Sequence, residues 1–181
     1  MPTRIMQVIA VPPSAERAAA FLRMVDDFEA HDAANAAFYA SARDGFVAYV
    51  QGLSAQEHGR NLPAGWVPCT HRWLIDGDGA IVGATRLRHH IDTPFLASDG
   101  GHIGYDVAPS QRGKGYGHAA LRVALAEAAA RGIDRVLLTA SQTNAASRAV
   151  IERQGGVLEA IVYSEFWRER LCRYWISLHA R

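Results

Sequence analysis

The feature that most constrains this chain is a glycine-rich turn between a predicted strand and a predicted helix. The strand covers residues 100–107, and an alanine- and leucine-rich helical pattern follows the turn Arg112-Gly113-Lys114-Gly115-Tyr116-Gly117. Glycines let the backbone approach an anion closely, and the N–H groups at a helix start point toward it. The turn also carries two cationic side chains. Together these residues predict a site for a pyrophosphate group.

Two common nucleotide-binding patterns do not fit this turn. A nucleoside-triphosphate P-loop requires a glycine where this chain has Ala108, and a hydroxyl residue after the lysine where it has Gly115. A dinucleotide fingerprint requires a third glycine where His118 stands. Its ribose-binding acid belongs at the far end of the next strand, whereas Asp134 precedes that strand. Both nucleotide classes are therefore disfavoured.

Composition predicts one domain over residues 1–181, since a chain of 181 residues with 49% apolar and 20% charged residues has an ordinary globular balance. The formal charge of +1 disfavours nucleic acid as a partner. No apolar run approaches the roughly 18 residues of a membrane span. Cys69 and Cys172 lie far apart, which favours two reduced thiols in a cytoplasmic protein over a disulfide.

Hydrophobic periodicity predicts alternating strands and helices. Ser14 is a plausible N-cap for a first helix, and Gly132 a plausible C-terminal stop for the helix after the turn. Strands are predicted at 4–11, 71–75, 80–89, 100–107, 135–140, 157–163 and 173–178, helices at 46–53, 117–131 and from Asn144 to 154, and a loop at 56–68.

This order resembles the GNAT superfamily of acyl-CoA-dependent N-acyltransferases over roughly residues 66–179. The resemblance rests on two motifs. The first is a strand followed by a proline, the Arg-x-x-Gly-x-Gly turn and a helix, and the second is the helix start at Asn144 and Ser147, about 30 residues later. The run at 100–105 resembles the sequences of a poorly characterised bacterial subgroup of this superfamily. The resemblance implies an α/β fold: a mixed sheet of six to seven mostly antiparallel strands, splayed at the centre, with helices on both faces.

The resemblance also implies acetyl-CoA as the acyl donor, bound in the opening of the sheet. Its pantetheine arm is expected to pair with the backbone of Tyr105, Asp106 and Val107. Its pyrophosphate is expected on the amides of Gly113, Lys114, Gly115, Tyr116, Gly117 and His118. Arg112 and Lys114 either screen the phosphates or only face solvent. Asn144 either caps its helix or also touches pantetheine, and Ser147 either donates to a CoA oxygen or bonds its own helix backbone.

The catalytic residues stay open at this point. The family reaction is direct attack of a neutral amine on the thioester, and in many relatives a tyrosine seven residues after the asparagine protonates the thiolate. Here that position is Ile151, which has no proton to donate. Tyr105 and Tyr163 are weak candidates for the acid. His102 and the pair His89-His90 are weak candidates for amine deprotonation. Each candidate has an alternative role in packing.

Metal binding is not expected, because His89-His90-x-Asp92 is too poor a ligand set for zinc. The resemblance places the acceptor site between the first helices and the segments at 89–101 and 166–172, with a small amine or a peptide as acceptor. Homodimerisation through an exposed edge strand is an open expectation. The alternative to an enzyme is a non-catalytic acyl-CoA sensor of the same fold, which the missing tyrosine keeps under consideration.

Overall fold

Residues 8–178 are described by a computed structural model, in which seven strands form two sheets. The first sheet has the order β1-β2-β3-β4 and the second the order β5-β7-β6, with every pairing antiparallel. The strands are β1 Ile9–Val11, β2 Cys69–Ile75, β3 Ile81–Arg88, β4 Ile103–Val107, β5 Arg135–Ser141, β6 Val157–Ser164 and β7 Glu169–Ser177. Part of the first predicted strand, residues 4–7, lies outside the described residues.

Within residues 8–178, six α-helices accompany the sheets. They are α1 Ala18–His31, α2 Ala33–Ala36, α3 Ser41–Asp44, α4 Phe46–Glu57, α5 Tyr116–Ala130 and α6 Ala145–Arg153. The sequence prediction missed α2 and α3, because helices of four residues are too short to show a periodic pattern. It also ended α4 four residues early, so the predicted loop at 56–68 begins inside that helix.

The predicted strand at 100–107 is wrong in its first half. Leu96–Gly100 forms a π-helical turn, and β4 begins only at Ile103. Gly101 has a φ of 63°, which favours glycine, and a Cβ there would lie 2.6 Å from the Leu137 carbonyl oxygen. The chain therefore breaks at Gly101 before it enters the sheet.

Helices cover both faces of the first sheet because its strand residues alternate between two cores. On one face Trp73 packs with the α1 residues Phe21 and Phe28. On the other face the neighbouring Leu74 packs with Tyr116 and Ala120 of α5. The predicted architecture of mostly antiparallel strands with helices on both faces is confirmed. None of the helices within residues 8–178 combines the length and apolarity needed to cross a bilayer.

The two sheets meet at one point and then separate. The His102 N–H donates to the Leu137 carbonyl oxygen at 2.7 Å, and the Leu137 N–H donates to the His102 Nδ1 at 2.9 Å. Beyond this link β4 and β5 belong to different sheets. The resulting cleft is the predicted splay of the sheet, and it positions the site described next.

Candidate active site

The glycine turn has the backbone geometry that an anion site requires. Gly113 and Gly115 have φ values of 78° and 89°, in the left-handed region where side chains are strained. A Cβ added to either residue would meet no protein atom within 4 Å. The turn therefore faces open space, and Tyr116 anchors it by starting α5 with a buried side chain.

Most backbone amides of the turn are unpaired within the described residues. The N–H groups of residues 113–117 find no acceptor among residues 8–178. The His118 N–H, by contrast, already donates to the Gly115 carbonyl oxygen at 3.1 Å. The sequence predicted that the amides of residues 113–118 bind the pyrophosphate, but only those of residues 113–117 lack a protein acceptor. Unsatisfied first-turn amides and the positive end of the helix dipole favour an anion at this place.

The two cations of the turn are engaged by protein groups. The Arg112 Nη2 donates to the Asp32 Oδ2 at 2.5 Å, and its Nε donates to the Val107 carbonyl oxygen at 3.2 Å. This hydrogen bond from Arg112 lowers the pKa of Asp32. The exposed Lys114 donates through Nζ to the Gln111 Oε1 at 2.9 Å. Arg112 therefore ties the turn to the end of α1, and Lys114 lies on the surface.

Asn144 and Ser147 open α6 beside β4. The Asn144 Oδ1 accepts the Ser147 N–H at 3.0 Å, which is the geometry of an N-cap. The Ser147 Oγ lies 3.0 Å from the Tyr105 hydroxyl oxygen. Sequence reasoning missed this pair, since it weighed only a CoA oxygen and the helix backbone as partners of Ser147. Burial raises the pKa of Tyr105, so its hydroxyl keeps its proton.

Ile151, which occupies the expected tyrosine position, belongs to the hydrophobic core. Its side chain is 1% exposed and packs with Leu121, Leu138 and Tyr174. A Cβ added to Gly156 would lie 2.5 Å from the Ile151 Cγ2. The side chain at this position faces packed protein rather than the cleft.

His102 is a connector between the sheets. Its ring is 7% exposed, its Nδ1 accepts the Leu137 N–H, and its ring centroid lies 6.3 Å from that of Trp175. Desolvation by burial lowers the pKa of His102 to about 4, so the ring is neutral at pH 7. His102 is not among the residues that line the cavity described below.

The other predicted candidates lie apart from the cleft. Tyr163 is 58% exposed on β6, at the edge of the second sheet. The His89 Nε2 contacts the Thr70 hydroxyl at 2.9 Å, and the exposed His90 pairs with Asp92 at 2.9 Å. Within the described residues, no group of three or more His, Cys, Asp or Glu side chains is arranged to hold a metal ion.

A cavity of about 880 Å³ opens on the other side of β4. It lies between α3 and α4, the π-helical turn and the segment between β6 and β7, which is the region where the family resemblance leads us to expect the acceptor. Its wall combines aromatic rings with a few polar groups. The residues that line it include Tyr39, Gln56, His71, Arg86, Arg88, Phe95, Asp99, Gly100, Gly104, Ser141, Phe166, Trp167 and Glu169.

A buried polar network forms one wall of this cavity. The Arg86 Nη2 donates to the Asp106 Oδ2 at 2.6 Å, and the Tyr39 hydroxyl donates to the same oxygen at 2.8 Å. A Cβ at Gly104 would lie 3.3 Å from the Arg86 guanidinium, so the glycine lets Arg86 lie across β4. Sequence reasoning missed Tyr39, which reaches Asp106 from 67 residues away along the chain. The carboxylate neutralises the arginine.

The remaining polar wall residues differ in charge. The His71 Nε2 contacts the Gln56 Oε1 at 3.0 Å, and burial lowers the pKa of His71 to about 3, which keeps it neutral. Across the cleft, the Ser141 hydroxyl donates to the Glu169 carboxylate at 2.5 Å. This places a carboxylate at the C-terminal end of β5. Sequence reasoning missed this pair.

Comparisons with known proteins agree with the resemblance inferred from the sequence. The family described as "Acetyltransferase (GNAT) family" matches residues 10–156. A search by sequence among curated proteins finds no match.

Solved structures share the fold at low sequence identity. RimJ of Mycobacterium smegmatis, in complex with CoA-disulfide, has a TM-score of 0.69 at 23% identity and covers 94% of this chain and 81% of its own. The Salmonella typhimurium acetyltransferase that modifies the N-terminal serine of ribosomal protein L7/L12 has a TM-score of 0.66 at 16% identity, covering 98% of each chain. A chimera of the spermidine N-acetyltransferase SpeG from Vibrio cholerae has a TM-score of 0.65 at 15% identity, covering 95% and 96%.

Proposed function

This chain belongs to the GNAT family of acetyltransferases, and we propose that it transfers an acetyl group from acetyl-CoA to a primary amine of a small molecule or peptide. The acceptors named for the structural relatives, a ribosomal protein N-terminus and spermidine, are both primary amines. RimJ carries CoA in its complex, which supports the same class of donor here. The proposed compartment is the cytoplasm.

The observation that carries the proposal is that the glycine turn and the cavity lie on opposite sides of β4. Tyr105 faces α6, next to the glycine turn with its free amides. Gly104 and Asp106 lie on the opposite face of β4, where both contact Arg86, a residue of the cavity wall. A pantetheine arm that adds to the backbone of residues 105–107 as an extra strand would bring its thioester to the border of both compartments. The pyrophosphate would then rest on the amides of residues 113–117.

The chemistry follows from this placement. The neutral amine nitrogen attacks the thioester carbonyl carbon, a C–N bond forms, the C–S bond breaks, and the amine proton leaves. We assign the role of proton acceptor to the Glu169 carboxylate. This group lines the acceptor cavity and accepts a hydrogen bond from the Ser141 hydroxyl. The departing thiolate takes a proton from the hydroxyl pair of Tyr105 and Ser147, on the donor side.

This assignment gives no catalytic role to His102, Tyr163 or the pair His89-His90. His102 is proposed to hold the two sheets together, because both its backbone and its ring bond to Leu137. Tyr163 is proposed to be a surface residue of β6. The absence of a tyrosine at position 151 does not by itself favour a sensor, since the Tyr105–Ser147 pair supplies hydroxyl protons from another direction.

The test uses two glycine variants matched in backbone strain. Gly115 and Gly132 lie at opposite ends of α5, with φ values of 89° and 74°, and neither has a protein atom within 4 Å of an added Cβ. Gly115→Val places a side chain where the pyrophosphate is proposed. Gly132→Val introduces comparable strain away from the turn. CoA affinity by calorimetry and thiol release with a panel of amines are measured for both.

The expected result is thiol release by the wild type with at least one amine, and at least a tenfold loss of CoA affinity in Gly115→Val only. A roughly equal loss in both variants would mean that backbone strain, and not the turn, explains the effect. Tight CoA binding without turnover on any amine would replace the enzyme with the sensor.

A further inference from the structure

We propose that the acceptor carries an anionic group in addition to its amine, as an amino acid or a short peptide does, and that Arg88 binds that anionic group. This inference rests on the proposed function and specifies the substrate class of the same cavity. It begins from a charge imbalance in the cavity wall.

Arg88 is a partly buried cation without a counter-ion. Its Nη1 donates to the carbonyl oxygens of Gly100 and Gly101, both at 3.1 Å. No carboxylate among residues 8–178 lies within 4.0 Å of its guanidinium, and its Nε and Nη2 make no hydrogen bond to that part of the protein. Desolvation by burial lowers the pKa of Arg88, yet an arginine stays protonated at neutral pH.

The free edge of Arg88 opens into the cavity. Arg88 lines the cavity together with Gly100, and no fully buried side-chain nitrogen or oxygen of the described residues lacks a hydrogen-bond partner. The unbonded guanidinium nitrogens are therefore accessible. An unpaired buried charge costs several kcal/mol, and an arginine offers two parallel N–H groups that match a carboxylate or phosphate.

The neighbouring basic groups do not share this role. Arg86 is neutralised by Asp106 at 2.6 Å and also contacts Tyr39. His71 is neutral and contacts Gln56. The deep wall of the cavity thus presents one uncompensated positive charge, and that charge belongs to Arg88.

The wall nearer to the second sheet has the opposite character. Glu169 and Asp99 line it, and neither forms an ion pair with a described residue. At the mouth, the rings of Phe95, Phe166 and Trp167 form an exposed cluster, with centroids 4.8 Å apart for Phe95–Phe166 and for Phe166–Trp167. A ligand with an ammonium group, an apolar body and an anionic group matches all three features. Cavities of this size hold molecules larger than a simple amine.

The experiment compares acceptors that differ only in the anionic group. Phenylalanine, Phe-Gly and Phe-Gly-Gly are each matched with their C-terminal amides, and phenylethylamine has no carboxyl group at all. Binding to the CoA-loaded protein is measured by calorimetry, and kcat/KM by thiol release. The proteins are the wild type, Arg88→Gln, Arg88→Lys and, as control, Arg23→Gln, which removes an exposed cation of α1.

We expect at least one acid to bind about tenfold or more tightly than its amide, because hydrogen bonds between a guanidinium and a carboxylate are charge-assisted. Arg88→Gln removes this preference and leaves amide binding within about threefold. Arg88→Lys keeps part of the preference for the acid, and Arg23→Gln changes neither the binding of the acids nor that of the amides. The longest acid that binds distinguishes an amino acid from a peptide. Melting temperatures of the variants show whether the π-helical turn held by Arg88 stays folded.

Failure of the inference and failure of the proposed function give different results. If the wild type binds acids and amides equally, prefers amides, or binds none of the acids, the role of Arg88 is overturned even when other amines are acetylated. If acids bind in an Arg88-dependent way and none is acetylated, the inference stands, and the proposed transfer reaction is wrong for these acceptors.

Discussion

His102 offers a quantitative test of how the splayed sheet is held together. Replacement by asparagine keeps an oxygen near the position of the His102 Nδ1, so that the Leu137 N–H retains an acceptor, but it removes the titratable ring. The variant therefore separates the hydrogen bond across the sheets from the protonation of the ring. A catalytic base and a structural connector respond to this change in different ways.

The magnitude follows from the lowered pKa. The pKa of His102 is about 4 in the folded protein and 6.5 in the absence of the fold. Each pKa unit corresponds to about 1.4 kcal/mol, so protonation of the unfolded chain removes about 3 kcal/mol from the free energy of unfolding between pH 6.5 and pH 4. The stabilising contribution is fully present above pH 6.5, because neither state binds the proton there, and it is lost as the pH falls.

The assay is chemical denaturation of wild type and His102→Asn at several pH values from 7 to 4.5. We expect the wild type to lose more stability than the variant over this range, with the difference reaching about 2.5 kcal/mol at pH 4.5. His71, whose pKa is also low, is present in both proteins and cancels in the comparison. The kcat of the variant at pH 7 should stay within about twofold, whereas loss of a general base costs about 10²–10⁴. Parallel pH profiles would contradict the lowered pKa of the buried ring, and a large loss of kcat would refute the connector role.

Three further predictions concern the donor side. Tyr105→Phe removes the hydroxyl that contacts Ser147 and should lower kcat about tenfold with little change in the KM for acetyl-CoA, and an unchanged kcat would return Tyr105 to a packing role. Asp32→Asn weakens the attachment of Arg112 to the end of α1. Because an exposed ion pair contributes about 1 kcal/mol, CoA affinity measured by calorimetry should fall a few-fold. Unaltered affinity would show that the turn keeps its shape without this ion pair. Ile151→Tyr overfills the core and should lower the free energy of unfolding by about 1–3 kcal/mol without raising kcat, whereas a faster enzyme would mean that this position reaches the cleft.

The parts of the fold that the sequence predicted are those set by local signals. The glycine turn, its helix and the N-cap at Asn144 depend on residues within one or two turns of each other. Ser14 likewise accepts the Glu16 N–H as an N-cap, although the first turn it caps is 3₁₀ rather than α-helical. Such elements can be predicted from the sequence because their capping residues and their hydrophobic periodicity are local.

The parts that the sequence did not predict depend on contacts between distant residues. The strand boundary at Ile103 is set by the close approach of Gly101 to Leu137, which belongs to another sheet. The Tyr105–Ser147 pair spans 42 residues, and the Tyr39–Asp106 pair spans 67. Alternation along β3 and β4 could have placed Arg86 and Asp106 on one face, but nothing local identifies the 3₁₀ turn Ala37–Tyr39 as the segment that supplies Tyr39.

A crystal structure with bound acetyl-CoA tests the central claim most directly. It should show pyrophosphate oxygens within about 3 Å of the amide nitrogens of residues 113–117, and pantetheine paired with the backbone of β4. A cofactor bound elsewhere, with those amides still facing solvent, would contradict the proposed donor site and the assignment of the two sides of β4.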